Sequence, residues 1–174
     1  FFTHEGFTKI EDFVISRSLA HLEKNGRLVL HCSSGYLNSS SRKDSMIEKI
    51  VEGGELEMVV DLPAGLYSQT GIRTSLLVIN KSQELEKPVL FADLTQCFTD
   101  SDKREKQLDV LKAVEYIRER EERFVREVKR SAISDKRFNL SVARYFLPDY
   151  EGVPLGDVVE VHRLQNSSEN TKAG

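Results

Sequence analysis

The first chemistry that the residues suggest is thiol attack on phosphorus, at His31-Cys32-Ser33-Ser34-Gly35. A cysteine closing an apolar run and opening a Ser/Gly loop is the layout in which a low-pKa thiolate acts as nucleophile. That chemistry needs an arginine six residues after the cysteine, to hold the phosphate through two parallel hydrogen bonds. Asn38 stands there, and the nearest arginine is Arg42. Cys32 therefore reads as a small buried hydrophobe. The other reactive side chains form no known set. His4, His21, His31 and His162 are scattered without metal-ligand spacing. Two cysteines, Cys32 and Cys97, support neither a disulfide framework nor a multi-cysteine zinc site. No G-x-S-x-G, G-x-x-x-x-G-K-[ST] or G-x-G-x-x-G is present.

The elements that must position any site come next. The 174 residues suffice for one domain with an appendage, and the chain opens on Phe1, so a piece of a longer protein is expected. The longest apolar runs are strand-length, which predicts neither a membrane span nor a signal peptide. Asn166-Ser167-Ser168 matches a glycosylation sequon, but nothing else points to secretion. Net charge is −3, and neither the part before residue 99 nor the part after it carries an excess of cations. That excludes a generic basic nucleic-acid binder.

A helix is predicted first, with Thr8 and Glu11 as a capping box and with Phe13, Val14 and Leu22 deepest. Asn25-Gly26 stops it. Arg27 to Cys32 then reads as a buried strand of a parallel sheet, followed by a polar loop over 33–41. A second helix over 42–51 ends at Gly53-Gly54. Strands follow at 56–62 and 74–80, with a fourth near an edge at 88–94. The linker between 62 and 74 is too short for a helical crossover, so those two strands are predicted to be antiparallel neighbours. The alternation predicts an α/β sheet. In residues 102–130 eighteen of 29 side chains are charged, and Leu108, Leu111, Val114, Ile117, Phe124, Val125 and Val128 recur at helical spacing. One long charged helix is predicted, with Glu119–Arg123 and Glu122–Arg126 as favourable pairs. Its charged face reads as solvated, a DNA-facing patch being the sharper alternative. The expected division is an α/β part over 1–98, a helical arm and extended segment over 99–165, and a disordered tail over 166–174.

The stretch Val59 to Lys81, VVDLPAGLYSQTGIRTSLLVINK, carries the family signal. With Gly26-Arg27, Gly35-Tyr36-Leu37 and Arg42 before it, residues 12–95 resemble the C-terminal half of the catalytic domain of adenine-N6 DNA methyltransferases. The match is to the modification subunit of type I restriction–modification systems. It rests on Leu62-Pro63, Leu66-Tyr67, Thr70-Gly71-Ile72-Arg73-Thr74 and Val78-Ile79-Asn80-Lys81, in that order. FNLSVARYFLPDY is similar to that subunit's tail, and VPLGDVVEV to the opening of target-recognition segments. Ser33 stands where the family usually has proline. Two family motifs are absent: the Gly-rich turn that binds S-adenosylmethionine and the (Asn/Asp)-Pro-Pro-(Phe/Tyr) motif that grips the target amine.

The resemblance implies a partial Rossmann-like methyltransferase sheet, its last strands including an antiparallel pair, followed by the long charged helix. It implies that the parent enzyme uses S-adenosylmethionine, acts on DNA with a specificity subunit in the cytoplasm, and flips its adenine out of the duplex. This chain would form the far wall of the base pocket and by itself hold no cofactor and no catalytic residue. Tyr67 is the candidate for stacking near the flipped base. Thr70, Gly71 and Arg73 are candidates for backbone or phosphate contact. The plainer alternatives are that Tyr67 packs on its own loop and that Gly71 only permits the turn. A non-catalytic module that self-associates through an open sheet edge and the apolar stripe of the long helix is the reading from another class.

Overall fold

The computed structural model describes residues 6–38, 45–66, 71–82, 84–100, 106–147, 153 and 158–159. The expected disordered tail, the sequon and most of VPLGDVVEV lie outside them. Helix α1, Ile10–His21, begins after Lys9 with no side-chain cap, so the Thr8–Glu11 capping box does not form. Apolar residues at 13, 14 and 15 in succession leave the buried face ambiguous in the sequence. The structure turns Ile15 fully inward, with Leu19 packed against the same core, while Ile10 is exposed. Strand β1, Arg27–Ser33, runs directly into a short helix α2, Ser34–Asn38, where a loop was expected. Tyr36 and Leu37 are buried on α2, and Tyr36 Oη donates to Asp12 Oδ1 at 2.6 Å, tying α2 to α1.

Helix α3, Met46–Glu52, is capped by Ser45 Oγ, which accepts from Glu48 N–H at 3.1 Å. Its interior side is Ile47, Ile50 and Val51, and Gly54 at φ +81° turns the chain into β2, Leu56–Asp61. Strands β3, Thr74–Asn80, and β4, Val89–Asp93, follow close to their expected bounds. A small hairpin of β5, Phe98–Asp100, and β6, Lys106–Leu108, leads to α4, Val110–Glu119. Strand β7, Val125–Val128, and helices α5, Arg130–Asp135, and α6, Ala143–Phe146, complete the described chain.

The main sheet has the order β1-β3-β2-β4-β7. The predicted antiparallel neighbours β2 and β3 pair from Leu56↔Ile79 to Asp61↔Ser75, with a bulge between Leu56 and Met58. The expectation of a parallel, buried β1 fails: it pairs antiparallel with β3 and forms an edge of the described sheet, with Arg27, Val29, His31 and Ser33 exposed. β4 is interior rather than near an edge. It lies parallel to β2 on one side and antiparallel to β7 on the other.

The long charged helix over 102–130 is also corrected. That segment is β6, α4 and β7, and α4 stops at Arg120, which takes the left-handed φ +56°. Two apolar residues three apart suit one helix face. In a strand they point to opposite faces. Val125 packs in the cluster with Val60, Leu90 and Ala92, while Val128 packs in the cluster with Phe91 and Ile133. Both are buried because the sheet is covered on both sides at β7, and this double covering imitates helical periodicity. The expected i,i+4 helix pairs have no helix to sit on. Arg123 lies over the Phe124 ring, and Arg126 donates to Tyr145 C=O at 3.2 Å.

One face of the sheet is covered by α1, α2, α3, α5 and α6 around Phe91, Leu77, Val59 and Leu140. The other is covered over β2, β4 and β7 by α4 and the hairpin, through Tyr116, Ile117, Leu108 and Phe124. The tail-like FNLSVARYF segment is part of the first layer. Asn139 Nδ2 donates to Asn38 C=O at 3.0 Å, Leu140 N–H donates to Leu37 C=O at 3.0 Å, and Tyr145 Oη donates to Asn139 C=O at 2.6 Å.

Candidate functional site

β1 and β2 both run antiparallel to β3, and β4 runs parallel to β2, so β1, β2 and β4 point the same way. Their carboxyl ends, Ser33, Asp61 and Asp93, lie on one edge together with Thr74 at the start of β3. Ligand sites of open α/β sheets form at that edge. The connection from β2 to β3 leaves and rejoins the sheet there, with Leu62 N–H donating to Thr74 C=O at 3.0 Å.

A buried polar chain holds this edge together. Ser75 is fully buried, its hydroxyl donates to Asp61 Oδ1 at 2.7 Å, and Ser34 Oγ lies 3.0 Å from Ser75 Oγ. Ser34 N–H donates to Arg73 C=O at 3.1 Å, and Leu94 N–H donates to Asp61 C=O at 3.0 Å. Asp93 closes its own turn, its Oδ1 accepting from Thr95 N–H at 3.0 Å and Thr95 Oγ at 2.6 Å. Three strand ends and a helix start are thus fixed relative to one another. The sequence reading missed this chain. Its one available signal was Ser75 at an inward phase of TSLLVIN, where a hydroxyl needs a partner.

Burial pushes the Asp61 carboxyl above its ordinary range, and nearby Asp93 adds to the rise, against the Ser75 hydrogen bond and the positive charge of Arg73. The folded state therefore binds a proton that the unfolded chain has already released. This contribution to stability is full below the ordinary carboxylate pKa and is lost as pH rises through the raised value. Asp61→Asn keeps an acceptor for Ser75 and removes the desolvated charge. Its Tm should exceed the wild-type Tm near neutrality, and the gap should shrink as pH falls. Thermal unfolding of both proteins between acid and neutral pH checks this; a gap independent of pH would count against it.

Of the four candidate contact residues, Tyr67 and Thr70 lie outside the described residues. Gly71 is exposed, a Cβ there meets open space, and its backbone avoids the left-handed region, so the fold itself does not require glycine at this position. Arg73 is exposed beside the Asp61 chain. Cys32 is buried, its Sγ sits 3.7 Å from Ser75 C=O, and burial pushes its thiol up to about 12. It is a protonated, unreactive thiol at neutral pH, in keeping with its reading as a hydrophobe. Among the described residues no group of three His, Cys, Asp or Glu could hold a metal ion, and no helix is long and apolar enough to cross a membrane.

Comparison with known proteins places this geometry. The family model for N-6 DNA methylases matches residues 9–151. The methylase subunit of the type I restriction enzyme MpnII from Mycoplasma pneumoniae is 24% identical over 162 residues, which are 91% of this chain and 30% of that protein. The chain therefore spans under a third of that relative's length. Its fold superposes on the methyltransferase subunit of a type I restriction–modification system from Streptococcus thermophilus with a TM-score of 0.68, at 22% identity, over 79% of this chain and 30% of that one. A further solved chain, from work on complex assembly and conformational transition of the type I system, aligns with a TM-score of 0.61 at 14% identity, over 87% of this chain and 36% of that one. With the antiparallel β2–β3 pair and the ordered Leu-Pro to Asn-Lys motif behind it, this match over most of the chain makes it a member of the N-6 DNA methylase family.

Proposed function

We propose that this chain is the last part of the catalytic domain of an S-adenosylmethionine-dependent adenine-N6 DNA methyltransferase of a type I restriction–modification system, and that it supplies the target-base side of the pocket. The observation that carries the reading is the β2–β3 pair, whose connection leaves and rejoins the sheet at the edge formed by the carboxyl ends of β1, β2 and β4. In this reading the sheet is the trailing portion of a Rossmann-like methyltransferase sheet. A flipped adenine meets Tyr67, and Thr70, Gly71 and Arg73 meet the adjoining backbone. Stacking and phosphate contact hold the base in line for transfer, which is mainly a matter of positioning.

The residues at this edge do not themselves fit S-adenosylmethionine. The turn after β1 enters α2 at once, with Tyr36 and Leu37 buried behind it, and the other strand ends offer carboxylates and serines instead of a glycine-rich cradle. The cofactor and the amine-gripping motif belong, in this reading, to polypeptide beyond these residues, as do the main contacts to DNA and to a specificity subunit in the cytoplasm. The complete subunit with its partners should transfer labelled methyl groups to adenine N6 in duplex DNA. Arg73→Ala in that complex should lower kcat/KM roughly tenfold. Methylation of cytosine instead, or tight binding of S-adenosylmethionine to the 174-residue chain alone, would overturn the assignment.

A second reading has its own observation. β1 is an edge among the described strands, and Val29 is 59% exposed on it beside the exposed Arg27 and His31. Self-association through β1 would make this chain an interaction module. A concentration-independent monomer in sizing chromatography would refute it.

A further inference from the structure

We propose that the cleft between α4 and the β4–β5 connection is a nucleotide subsite that takes a phosphate and base of a nucleic-acid strand beside the target position. The inference rests on the methyltransferase reading for the identity of the strand, and on its own geometry for the subsite. The cleft encloses about 360 Å³ and is lined by Lys112 and Tyr116 of α4, Arg123 and Phe124 before β7, and Thr95 and Gln96 after β4. That volume lies toward the small end of ligand pockets, a size suited to one nucleotide unit.

Its chemistry is two-sided. Tyr116 and Phe124 are stacked with centroids 4.2 Å apart and planes at 14°, giving the cleft a rigid aromatic wall. The Arg123 guanidinium lies 5.3 Å from the Phe124 centroid, so its charge is held at that wall. Lys112 adds a second cation. Its Nζ is 3.4 Å from Asp109 Oδ2, but its side chain is 61% exposed, and such a solvated ion pair yields readily to a phosphate. Asp93, the one carboxylate among the described lining residues, has its Oδ1 engaged by both donors of Thr95. A base against an aromatic wall and a phosphate between Lys and Arg is the recognition mode of single-stranded nucleic acid.

Location gives the second argument. Asp93, in the lining of the cleft, is the register partner of Asp61 on the neighbouring strand; Asp61 and Ser75 lie on the sheet face of Val59 and Leu77, and the cleft lies on the α4 face. Neighbouring strands are about 4.8 Å apart. A strand whose base is offered at this end of the sheet would cross the strand-end edge to reach the cleft on the α4 face.

The test is fluorescence anisotropy of the full 174-residue chain with a short labelled single-stranded oligonucleotide across a salt series, with dAMP titrated in a parallel arm. Lys112→Gln with Arg123→Gln should weaken oligonucleotide binding at least tenfold and reduce the log K–log salt slope by about 1.4. Lys24→Gln with Lys49→Gln, which removes equal charge from exposed positions away from the cleft, should leave both nearly unchanged, and circular dichroism should report the same fold throughout. Equal losses in the two double variants would show diffuse electrostatics and overturn the subsite. Binding of dAMP without binding of the oligonucleotide would overturn the strand as its occupant. A wild-type chain that binds neither would also overturn the subsite, while leaving the methyltransferase reading to the adenine-N6 assay.

Discussion

Phe91→Ala is expected to destabilise the fold by about 3–5 kcal/mol, the range for deleting a buried aromatic ring. Phe91 is fully buried on β4, the strand that joins the β2–β3 pair to β7. Its ring lies 4.1 Å from that of Tyr145 on α6, at a tilt of 39°. It shares a core cluster with Val59 of β2, Leu77 of β3 and Ile133 of α5. Sheet and helical layer meet at this ring, and the surrounding strands are too constrained by their hydrogen bonds to collapse into the space that it leaves. Urea unfolding measures the loss directly. In a chain of this size the matching fall in Tm is roughly 10 °C. Leu111→Ala is the contrast: Leu111 is 85% exposed on α4, so its truncation should stay within about 0.5 kcal/mol. A Phe91→Ala loss below about 1 kcal/mol, outside the usual range for such sites, would mean that β4 is not held as described.

Arg130→Ala should be the next most damaging change, at about 2–3 kcal/mol, the scale of charge-assisted hydrogen bonds at a partly buried site. The Arg130 guanidinium donates from Nη1 to Val51 C=O at 3.1 Å, and from Nη2 to Leu56 C=O at 2.8 Å and Gly54 C=O at 3.3 Å. A longer contact from Nη2 reaches Glu84 C=O at 3.4 Å. One side chain at the start of α5 thus satisfies the end of α3 and the turn into β2, and its charge complements the negative end of the α3 dipole. Burial lowers the Arg130 pKa, against the attraction of nearby Glu55. Arg130→Lys keeps the charge and loses the planar fork, so it should recover only part of the loss. Full rescue by lysine would show that charge alone matters. These contacts sit at the end of the sheet opposite Asp61 and Asp93. A folded Arg130→Lys chain should therefore bind oligonucleotide as the wild type does, which separates stability effects from effects on the cleft.

The strands were readable where a short apolar run ended at a turn former. Leu56 to Asp61 and Thr74 to Asn80 announced themselves, and the short link between them gave their antiparallel pairing. Position within the sheet was not readable. Composition distinguishes an apolar strand from a loop, but β1 reads as buried because its inward residues, Leu28, Leu30 and Cys32, pack under α1, while its other face lies open. The segment over 102–130 misled for a related reason: Val125 and Val128 carry a helical interval on a strand covered on both faces.

The site divides along the same line. The ordered motif from Leu62 to Lys81, together with the matches before it from Gly26 to Arg42, gave a family resemblance that the match over residues 9–151 bears out. Local order in the chain also made Cys32 a hydrophobe, through the arginine that Asn38 replaces. Only the tertiary structure brought Ser34, Asp61 and Ser75 into one hydrogen-bonded chain, and Lys112, Arg123 and the Tyr116–Phe124 stack around one cleft. Lys112, Tyr116, Arg123 and Phe124 lie close together in the chain and meet because α4 ends at Arg120, whereas Ser34, Asp61 and Ser75 come from elements far apart in the sequence. Strand order, which is fixed by the burial of whole layers and not by any local propensity, decides that they meet.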